Sequence, residues 1–553
     1  MAIHGNDNRG LVAASKPGVE PGRFGRMLDL PPAPALPEDC LRAIAEAMIK
    51  HDTGQPITND EPVDENPSIT AGYTYLGQFI DHDITFDPTP LNAEAIDFRA
   101  LVDFRSPALD LDNLYSTGPD DRPYMYDELK LRLGPAIDSV NARVGTRNDL
   151  FRIPGAKQLA GEKPSIPVLG DKRNDENKIV SQLHGAFICF HNKVVDNPGL
   201  IARGAALLGI DIGSDAGKFR AAAAIVRWHY QHVVLFDYLD RITEPGMVTE
   251  VLNPGGKPNL AYYDRANPKY AYMPIEFSGA AFRFGHSMVR PSYALNLTVG
   301  TNAVPAGAPQ RVPTFSRSPM TQNLNGFPGP LPDTWGIDWG YFLPGLQANA
   351  ALEFKVPQAS YRIDAILAQP LEDLPEFFGQ TAFPWVRNLA FRNLQRGQEL
   401  SLPSGQQVAA MLKYDPLPDK ILWSSGSRRA AEVPPPGKTQ EDMDATNEAR
   451  EAVRLKYVDG GGPLAGATPL WYYILREAEY YGVTNDPNDP AVAFGGQHLG
   501  PIGSRIVAET LIGLLWHDKS SILHLPQVFK PFPEISGGAA EFTLDRLIAY
   551  ALT

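Results

Sequence analysis

The segment Gly77–Asp83 places an imidazole between two carboxylates, with an amide side chain four residues earlier. These side chains belong to Gln78, Asp81, His82 and Asp83. A neutral imidazole can take a proton from one oxygen and return it to another near neutral pH, which is the acid–base chemistry needed to cleave a peroxide. Neighbours on a helix point about 100° apart, so the two aspartates would face other surroundings than the histidine. Because a histidine flanked by aspartates is also typical of a surface or a helix cap, further segments must support a catalytic interpretation.

A second segment, Gly170–Asn177, stands directly before a helix that is predicted to start near Lys178. It carries Arg173 and, three residues later, Glu176. A fixed guanidinium can stabilise the negative charge that develops as an O–O bond breaks, without changing its own protonation. The alternative interpretation is a helix N-terminal cap, where acidic residues are favoured by the helix dipole.

A third segment, Phe282–Met288, contains His286 directly after Gly285. Histidine is the usual axial ligand of haem iron in peroxidases. A glycine beside it would allow the backbone and a bound group to approach closely. On its own, a histidine in an apolar segment is more often a core residue with satisfied hydrogen bonds.

Oxygen donors are closely spaced in a fourth segment, Phe104–Tyr115. A hydroxyl and two carboxylates lie at alternate positions in it, together with backbone carbonyls. Calcium is a hard cation that takes six to eight oxygen ligands, so such a loop suits it. An Asp-rich surface turn is the alternative interpretation.

A fifth segment, Asn388–Gly397, completes a set that resembles the motifs of animal haem peroxidases. The resemblance covers most of residues 70–520 and is to a bacterial-type member of the peroxidase–cyclooxygenase superfamily. It implies haem b as cofactor, with hydrogen peroxide and a small reducing substrate as partners. By the same resemblance, His82 is the distal acid–base, Gln78 lies over the iron near the halide or water position, and Arg173 is the distal arginine.

The resemblance also implies how the haem is held. His286 is its proximal iron ligand, and Asn393 accepts a hydrogen bond from that imidazole, since metal-bound histidines generally need such a partner. Arg283 and Arg396 are expected at the haem propionates. Further haem contacts are expected from the two carboxylates that can form esters, which are Asp81 and Glu176; the number of ester links is left open.

The calcium ligands implied by the resemblance are Asp83, Ser106, Ala108 through its carbonyl, Asp110 and Asp112. Ser106 replaces a threonine of many relatives and Asp112 replaces a serine, so oxygen donors are retained. Two departures affect the haem site. Arg392 stands where the family segment has leucine, and Asn177 stands where some relatives have a methionine that forms a sulfonium link to haem.

The function implied by the resemblance is oxidation of a halide, a pseudohalide or small aromatic donors through a ferryl porphyrin radical. One alternative is a fatty-acid dioxygenase of the cyclooxygenase-like branch. That branch has a tyrosine three residues before the proximal histidine, where this chain has Arg283. The other alternative is a catalytically inactive interaction protein, which would require loss of groups such as His82, Arg173 or His286.

These side chains must be positioned by helices, because the hydrophobic spacing is mainly helical. We predict a mainly α-helical fold with long loops and little β structure. An N-terminal arm at residues 1–65 would precede a single catalytic domain at 66–553. The predicted helices are Pro37–Lys50, Ile179–Val194, Ala221–Tyr238 and Ile506–Trp516, and the densest loop candidates are Pro305–Pro332 and Val433–Thr439. We interpret His184, His191, His229 and His232 as packing and hydrogen-bonding residues.

Composition narrows the class of protein. A net charge of −14 and an isoelectric point near 5.3 argue against nucleic acid as a partner. No apolar run approaches the roughly 20 residues that span a membrane, and the N-terminus has no signal-peptide pattern. We therefore expect a soluble, cytoplasmic protein, with secretion by another route left open. The two cysteines, Cys40 and Cys189, cannot build a disulfide framework, and the oligomeric state cannot be read from the sequence.

Overall fold

The protein is described by a computed structural model. The described residues are 24–49, 64–86, 103–154, 165–266, 269–297, 299, 311–316, 323–326, 329–346, 356–377, 384–424, 440–483, 495–539 and 541–553. The predicted loop Val433–Thr439 lies outside them.

Helices dominate this part of the chain, which confirms the predicted mainly α-helical fold. The helices are α1 Glu38–Ala47, α2 Ala71–Ile84, α3 Asp112–Tyr115, α4 Lys178–Val195, α5 Pro198–Leu208, α6 Asp215–Val233, α7 Leu239–Ile242, α8 Met247–Leu252, α9 Tyr263–Ala266, α10 Ile275–Gly279, α11 Leu389–Glu399, α12 Gly405–Met411, α13 Asp419–Leu422, α14 Gln440–Tyr457, α15 Leu470–Tyr481, α16 Pro501–His517, α17 Pro533–Ser536 and α18 Leu544–Leu552. Short 3₁₀ segments include Lys172–Asp175 and Ala281–His286.

The strands are short and pair only in twos within the described ranges. They are β1 Phe24–Gly25, β2 Glu65–Thr70, β3 Tyr126–Asp127, β4 Lys130–Leu131, β5 Leu133–Ala136, β6 Asn148–Leu150, β7 Arg152–Pro154, β8 Ser165–Pro167, β9 Met273–Pro274, β10 Ser292–Ala294, β11 Arg311–Pro313 and β12 Ala359–Tyr361. The pairs are β1 with β9, β2 with β12, β3 with β4, β5 with β6, β7 with β8, and β10 with β11. One of them, β11, lies inside the predicted loop Pro305–Pro332, where its three residues pair with β10.

The helix bounds follow local capping signals. Asn177 caps α4 by accepting a hydrogen bond from the backbone N–H of Ile179 at 2.8 Å. The next helix, α5, starts at Pro198 and is capped by Asn197, whose Oδ1 accepts from Leu200 at 3.1 Å. Helices α4 and α16 contain the segments that hydrophobic spacing predicts. Helix α1 begins one residue after Pro37, the predicted start.

The prediction for Ala221–Tyr238 differs in its last part. Helix α6 ends at Val233, and the five residues Val234–Tyr238 continue it as a π-helix. The wider winding changes the direction of the following side chains and buries both Asp237 and Tyr238. Such π segments inside helices often occur at functional sites.

An aromatic cluster holds three helices together at the centre of the fold. Phe79 of α2 stacks on Phe187 of α4 with ring centroids 4.6 Å apart. Both rings meet the edge of Tyr230 on α6, at 6.1 and 5.8 Å. Edge-to-face and offset-stacked aromatic pairs are favourable beyond the area they bury. The cluster fixes the position of α2, which carries the histidine first noted in the sequence.

The N-terminal segment packs against the body of the protein. Phe24 and Gly25 form a parallel pair with Met273 and Pro274. Cys40, on α1, is buried and free, and Cys189, on α4, is partly buried and free. Burial raises the pKa of the Cys40 thiol to about 12. The division into an arm at 1–65 and a domain at 66–553 stays a prediction.

No helix in the described ranges has both the length and the apolar character that a membrane crossing requires.

Candidate active site

One cavity of about 420 Å³ collects side chains that are far apart in the sequence. Its lining includes Gln78, Asp81, His82, Arg173, Glu176, Arg283, His286, Arg392 and Arg396. The structure therefore brings the residues predicted for the two faces of a haem to the walls of a single space.

His82 lies on the last turn of α2 and is 4% exposed. Its Nδ1 atom is 2.8 Å from Oδ1 of Asn174. Its Nε2 atom is 3.4 Å from Oε1 of Glu176, at the cavity. The imidazole is thus anchored through one nitrogen and presents the other to the cavity, which is the arrangement a proton-transfer group requires.

Arg173 is held by the carboxylate of Asp171 at 2.9 Å and by the carbonyl oxygen of Thr85 at 2.5 Å. Its guanidinium also lies 4.7 Å from the ring centre of Phe86 and 3.6 Å from Oδ2 of Asp81. Burial opposes ionisation of Asp171, but the positive charges of Arg173 and Arg105 outweigh it and lower the pKa of that carboxyl well below its usual value. The cation beside the cavity is therefore fixed in place and permanently charged.

Glu176 links the two distal segments. Nε2 of Gln78 donates a hydrogen bond to Oε1 of Glu176 at 2.5 Å, although the two residues are 98 positions apart. Burial would raise the pKa of Glu176, but His82, Arg173 and the Gln78 bond together lower it. An ionised carboxylate at the cavity wall is the form that can act as a nucleophile in ester formation.

Gly77 leaves room for Tyr238, which also lines the cavity. A Cβ atom on Gly77 would collide with the hydroxyl oxygen of Tyr238. The π-helix at the end of α6 positions this tyrosine. Hydrophobic spacing predicted a helix of ordinary pitch there and therefore missed Tyr238 as a cavity residue.

The proximal candidate His286 ends the 3₁₀ segment Ala281–His286. Its Nδ1 atom is 2.8 Å from the amide of Asn393 on α11, so the predicted pair is in contact. Burial, reinforced by the charge of Arg283, lowers the pKa of His286 to about 3. A neutral imidazole has the free lone pair that a metal ion needs.

The direction of the Asn393 amide differs from the prediction. Nδ2, rather than Oδ1, faces His286, because Oδ1 accepts a hydrogen bond from Nη1 of Arg283 at 2.8 Å. Arg283 also donates from Nε to the carbonyl of Ser278 at 2.8 Å. Asn393 can accept a hydrogen bond from His286, as predicted, only if its amide group rotates so that Oδ1 faces the ring. Arg283 would then lose this acceptor and could pair with another anion.

Two more arginines of α11 line the cavity. Nη1 of Arg396 is 3.4 Å from a carboxylate oxygen of Glu399. The guanidinium of Arg392 lies 4.3 Å from the ring centre of Phe377. With Arg283 they give this part of the wall a positive charge, which suits carboxylate groups on a bound molecule.

Gly285 provides a test of whether the cavity fits a haem. A Cβ atom built on this glycine would meet no atom within 4 Å, so protein packing alone does not require glycine here. The position faces the cavity, directly before His286. A flat group bound through that histidine would occupy the space, and the residues present therefore fit a haem.

The predicted calcium residues also lie together. Leu111 donates its N–H to Oδ2 of Asp83 at 3.2 Å, while Oδ1 of Asp83 is buried without a hydrogen-bond partner. Ser106 donates to Oδ2 of Asp110 at 2.8 Å, and the N–H of Asp112 bonds Oδ1 of the same aspartate at 3.1 Å. Ala108 lies in this loop, with its N–H bonded to the Ser106 carbonyl at 2.8 Å.

The charges in this loop are mutually repulsive. Burial, followed by the negative charges of Asp110 and Asp112, raises the pKa of Asp83 well above its usual value. Burial and Asp112 raise the pKa of Asp110 to about 7. Oδ1 of Asp112 forms an ion pair with Nη1 of Arg105 at 3.3 Å. Within the described ranges no three His, Cys, Asp or Glu side chains already form a metal-binding cluster, so calcium here stays a prediction.

Sequence reasoning missed Asn174 and Asp171, which hold the two distal groups in place. An amide directly after the candidate arginine was the available signal for Asn174. The four histidines interpreted as packing residues include His184, whose Nδ1 atom lies 2.9 Å from Nδ2 of Asn174. His229 fits that interpretation, since it is buried and bonds the Ile225 carbonyl at 2.7 Å.

Comparison with known proteins gives the family. A sequence model of the animal haem peroxidase family matches residues 140–417, just over half of the chain. The chain therefore belongs to the animal haem peroxidase family. The matched range contains Arg173, Glu176, His286, Asn393 and Arg396, whereas α2 and the calcium loop precede it. No curated protein is similar enough in sequence to count as a match.

Solved structures share the fold at low sequence identity. Peroxidase A from Dictyostelium discoideum is 14% identical, with a TM-score of 0.54, over 100% of this chain and 96% of that one. The fatty acid alpha-dioxygenase of Oryza sativa is 13% identical, with a TM-score of 0.48, over 97% and 80% of the two chains. That of Arabidopsis thaliana is 13% identical, with a TM-score of 0.48, over 97% and 76%. At these identities the likeness concerns the fold.

Proposed function

We propose that this chain is a haem-dependent peroxidase that uses hydrogen peroxide to oxidise a halide, a pseudohalide or a small aromatic donor. One observation carries the proposal: His82 and Arg173 line the same cavity as His286, whose Nδ1 atom contacts Asn393 behind the wall. An acid–base group, a fixed cation and an axial ligand are the protein groups that peroxide cleavage on haem requires.

His286 would bind the haem iron, and Arg283 and Arg396 would pair with the propionates. Asp81 and Glu176 are the carboxylates available for ester links to the haem. When bound, the haem would supply a redox-active iron and porphyrin that hold the two oxidising equivalents of the peroxide until the donor reduces them.

The protein groups divide the proton transfers between them. Nε2 of His82 takes a proton from the inner oxygen of the peroxide and gives it to the outer oxygen, which leaves as water. The guanidinium of Arg173 stabilises the negative charge that develops on the leaving oxygen. Gln78 lies at the same wall, where its amide can orient water or a halide. Two electrons and two protons then complete the reduction to a second water.

We also propose that the loop at Ser106–Asp112 and Asp83 of α2 bind calcium. The complete burial of Asp83 and the repulsion among three carboxylates would be relieved by a divalent cation. Because Asp83 follows His82, the ion would attach the end of α2 to this loop. Its role would be structural.

The absorption spectrum of the purified protein, before and after one equivalent of H₂O₂, tests the proposal. A Soret band that changes with peroxide and returns on adding bromide, thiocyanate or guaiacol supports it. The variant His82→Gln should keep the Soret band and lose the fast response, while His524→Gln, at a helix end, should match the wild type. Oxygen uptake with palmitate but no turnover of these donors would support a dioxygenase. A Soret band indifferent to peroxide would contradict both activities.

A further inference from the structure

Behind His82 lies a chain of hydrogen bonds that the proposed reaction does not yet use. Nδ1 of His82 faces Oδ1 of Asn174 at 2.8 Å, and Nδ2 of Asn174 faces Nδ1 of His184 at 2.9 Å. The three side chains are 4%, 0% and 1% exposed. Bulk water therefore does not compete for these bonds, so each one has a large effect on the orientation of its partners.

We infer that Asn174 and His184 are positioning residues, which keep a proton on Nδ1 of His82, so that Nε2, 3.4 Å from Oε1 of Glu176, is the nitrogen that exchanges a proton at the cavity. The inference rests on the proposed peroxidase function. An amide oxygen can only accept, so the Nδ1 atom that faces it must carry the proton. The other nitrogen, Nε2, is then the one that can take a proton from peroxide and return it.

His184 determines the orientation of the Asn174 amide group. Its Nδ1 atom must act as an acceptor for Nδ2 of Asn174, which requires a neutral ring. Burial lowers the pKa of His184 to about 3, so the ring stays neutral. Phe79 packs edge-on against this ring at 6.0 Å, and therefore the helix that carries His82 also positions the residue at the far end of the chain of bonds.

The backbone around Asn174 is fixed on both sides. Asp171, three residues earlier, accepts a hydrogen bond from Nη2 of Arg173 at 2.9 Å and forms an ion pair with Nε of Arg105 at 2.9 Å. Asp175 follows it and accepts from Nη2 and Nη1 of Arg152 at 2.6 and 2.7 Å. The N–H of Asn174 itself bonds the carbonyl of Asp171 at 3.1 Å. The amide can thus change partners only by turning over, and His184 opposes that rotation.

The tautomer of His82 can be measured directly. Histidine-selective ¹⁵N labelling of the holoenzyme in its reduced, carbon-monoxide-bound form gives a diamagnetic sample in which Nδ1–H and Nε2–H rings are distinguished. The signal of His82 is assigned by its loss in His82→Gln. We expect Nδ1–H in the wild type and a shift toward Nε2–H in Asn174→Ala.

Kinetics provide the second measurement. In Asn174→Ala the rate constant for reaction with H₂O₂ should fall by about 10- to 100-fold, as is typical when the partner of a functional histidine is lost. The KM for the reducing donor should not change. Asn174→Asp keeps an acceptor for His82 and should recover most of the rate. His184→Gln retains an acceptor oxygen and should stay within about threefold of the wild type, whereas His184→Leu should resemble Asn174→Ala.

Asn192→Ala is the matched control, because Asn192 also lies on α4 and its amide bonds the backbone N–H and carbonyl of Leu131, each at 2.8 Å. It should leave both the tautomer and the peroxide rate unchanged. An Nε2–H ring in the wild type, or an unchanged peroxide rate in Asn174→Ala, would overturn the inference. Failure of the proposed function is a different result, namely a wild type that does not react with peroxide. In that case the tautomer of His82 can still be measured by ¹⁵N labelling of the purified full chain.

Discussion

Asp171 and Arg173 are bound to each other in two ways. The guanidinium of Arg173 donates from Nη2 to Oδ2 of Asp171 at 2.9 Å, and the backbone N–H of Arg173 bonds Oδ1 at 2.9 Å. One carboxylate thus caps the 3₁₀ segment and holds the side chain of the residue two positions later. The position of the positive charge at the cavity depends on this pairing.

Replacing Arg173 with lysine should lower the rate constant for the reaction with H₂O₂ by about 100-fold. Lysine keeps the charge but carries it on one nitrogen, without the planar fork that spans Asp171 and the Thr85 carbonyl. Stopped-flow absorbance at the Soret band measures the effect. Arg203→Lys, at an exposed ion pair with Glu534, is the control and should react normally. A normal rate in Arg173→Lys would show that the geometry of the guanidinium is unimportant.

Removing the imidazole of His286 should abolish normal haem binding. His286→Ala deletes the candidate axial ligand, so we expect a weak or displaced Soret band after haem is added. Adding imidazole should restore part of the band, since it can occupy the space left by the side chain. An unaltered Soret band in His286→Ala would mean that another residue binds the iron.

Ester formation depends on the two carboxylates at the cavity wall. After several turnovers with H₂O₂, part of the haem should remain with the denatured wild-type chain. Glu176→Gln should retain less of it, because its amide is a poor nucleophile, and the double variant Asp81→Asn/Glu176→Gln should release all of it. Extraction into acidified butanone measures the fraction retained. Glu534→Gln is the control, and complete extraction from the wild type would exclude ester links.

Calcium should stabilise the protein more at pH 8 than at pH 5. Burial raises the folded-state pKa of Asp83, and that of Asp110 to about 7. Without metal, their contribution to stability is therefore present in full below pH about 4 and is lost as the pH rises through the folded-state values. Calcium compensates the ionised carboxylates, and at 100 times its Kd it adds about 2.7 kcal/mol to the free energy of unfolding.

Thermal unfolding with calcium and with a chelator, at both pH values, tests this prediction. Asp83→Asn removes one charge, so the metal-free variant should lose less stability between pH 5 and pH 8 and should respond little to calcium. Asp215→Asn, at an exposed ion pair with Lys218, should behave like the wild type. Equal Tm values with calcium and chelator at pH 8 would count against a calcium site.

Two kinds of feature could be predicted from the sequence: helices with regular hydrophobic spacing, and site residues that lie within one motif. Helices α4 and α16 follow from hydrophobic spacing and caps such as Asn177, and the motif residues His82, Arg173 and His286 meet at one cavity. Features that depend on tertiary contacts could not be predicted. The π-helix that delivers Tyr238, the amide direction of Asn393 and the partnership of Asn174 with His184 each depend on a residue from a distant segment. Hydrophobic periodicity contains no information on such pairs.

The order of residues around the cavity has a consequence for biosynthesis. The wall that carries His82 leaves the ribosome long before the one that carries Arg396, and at about 5–20 residues per second the interval is roughly 15 to 60 s. During that time no enclosed space for a haem exists. We therefore expect the haem to be inserted late in maturation. A nascent or truncated chain that ends before α11 would leave the cavity open to solvent and without Arg392 and Arg396.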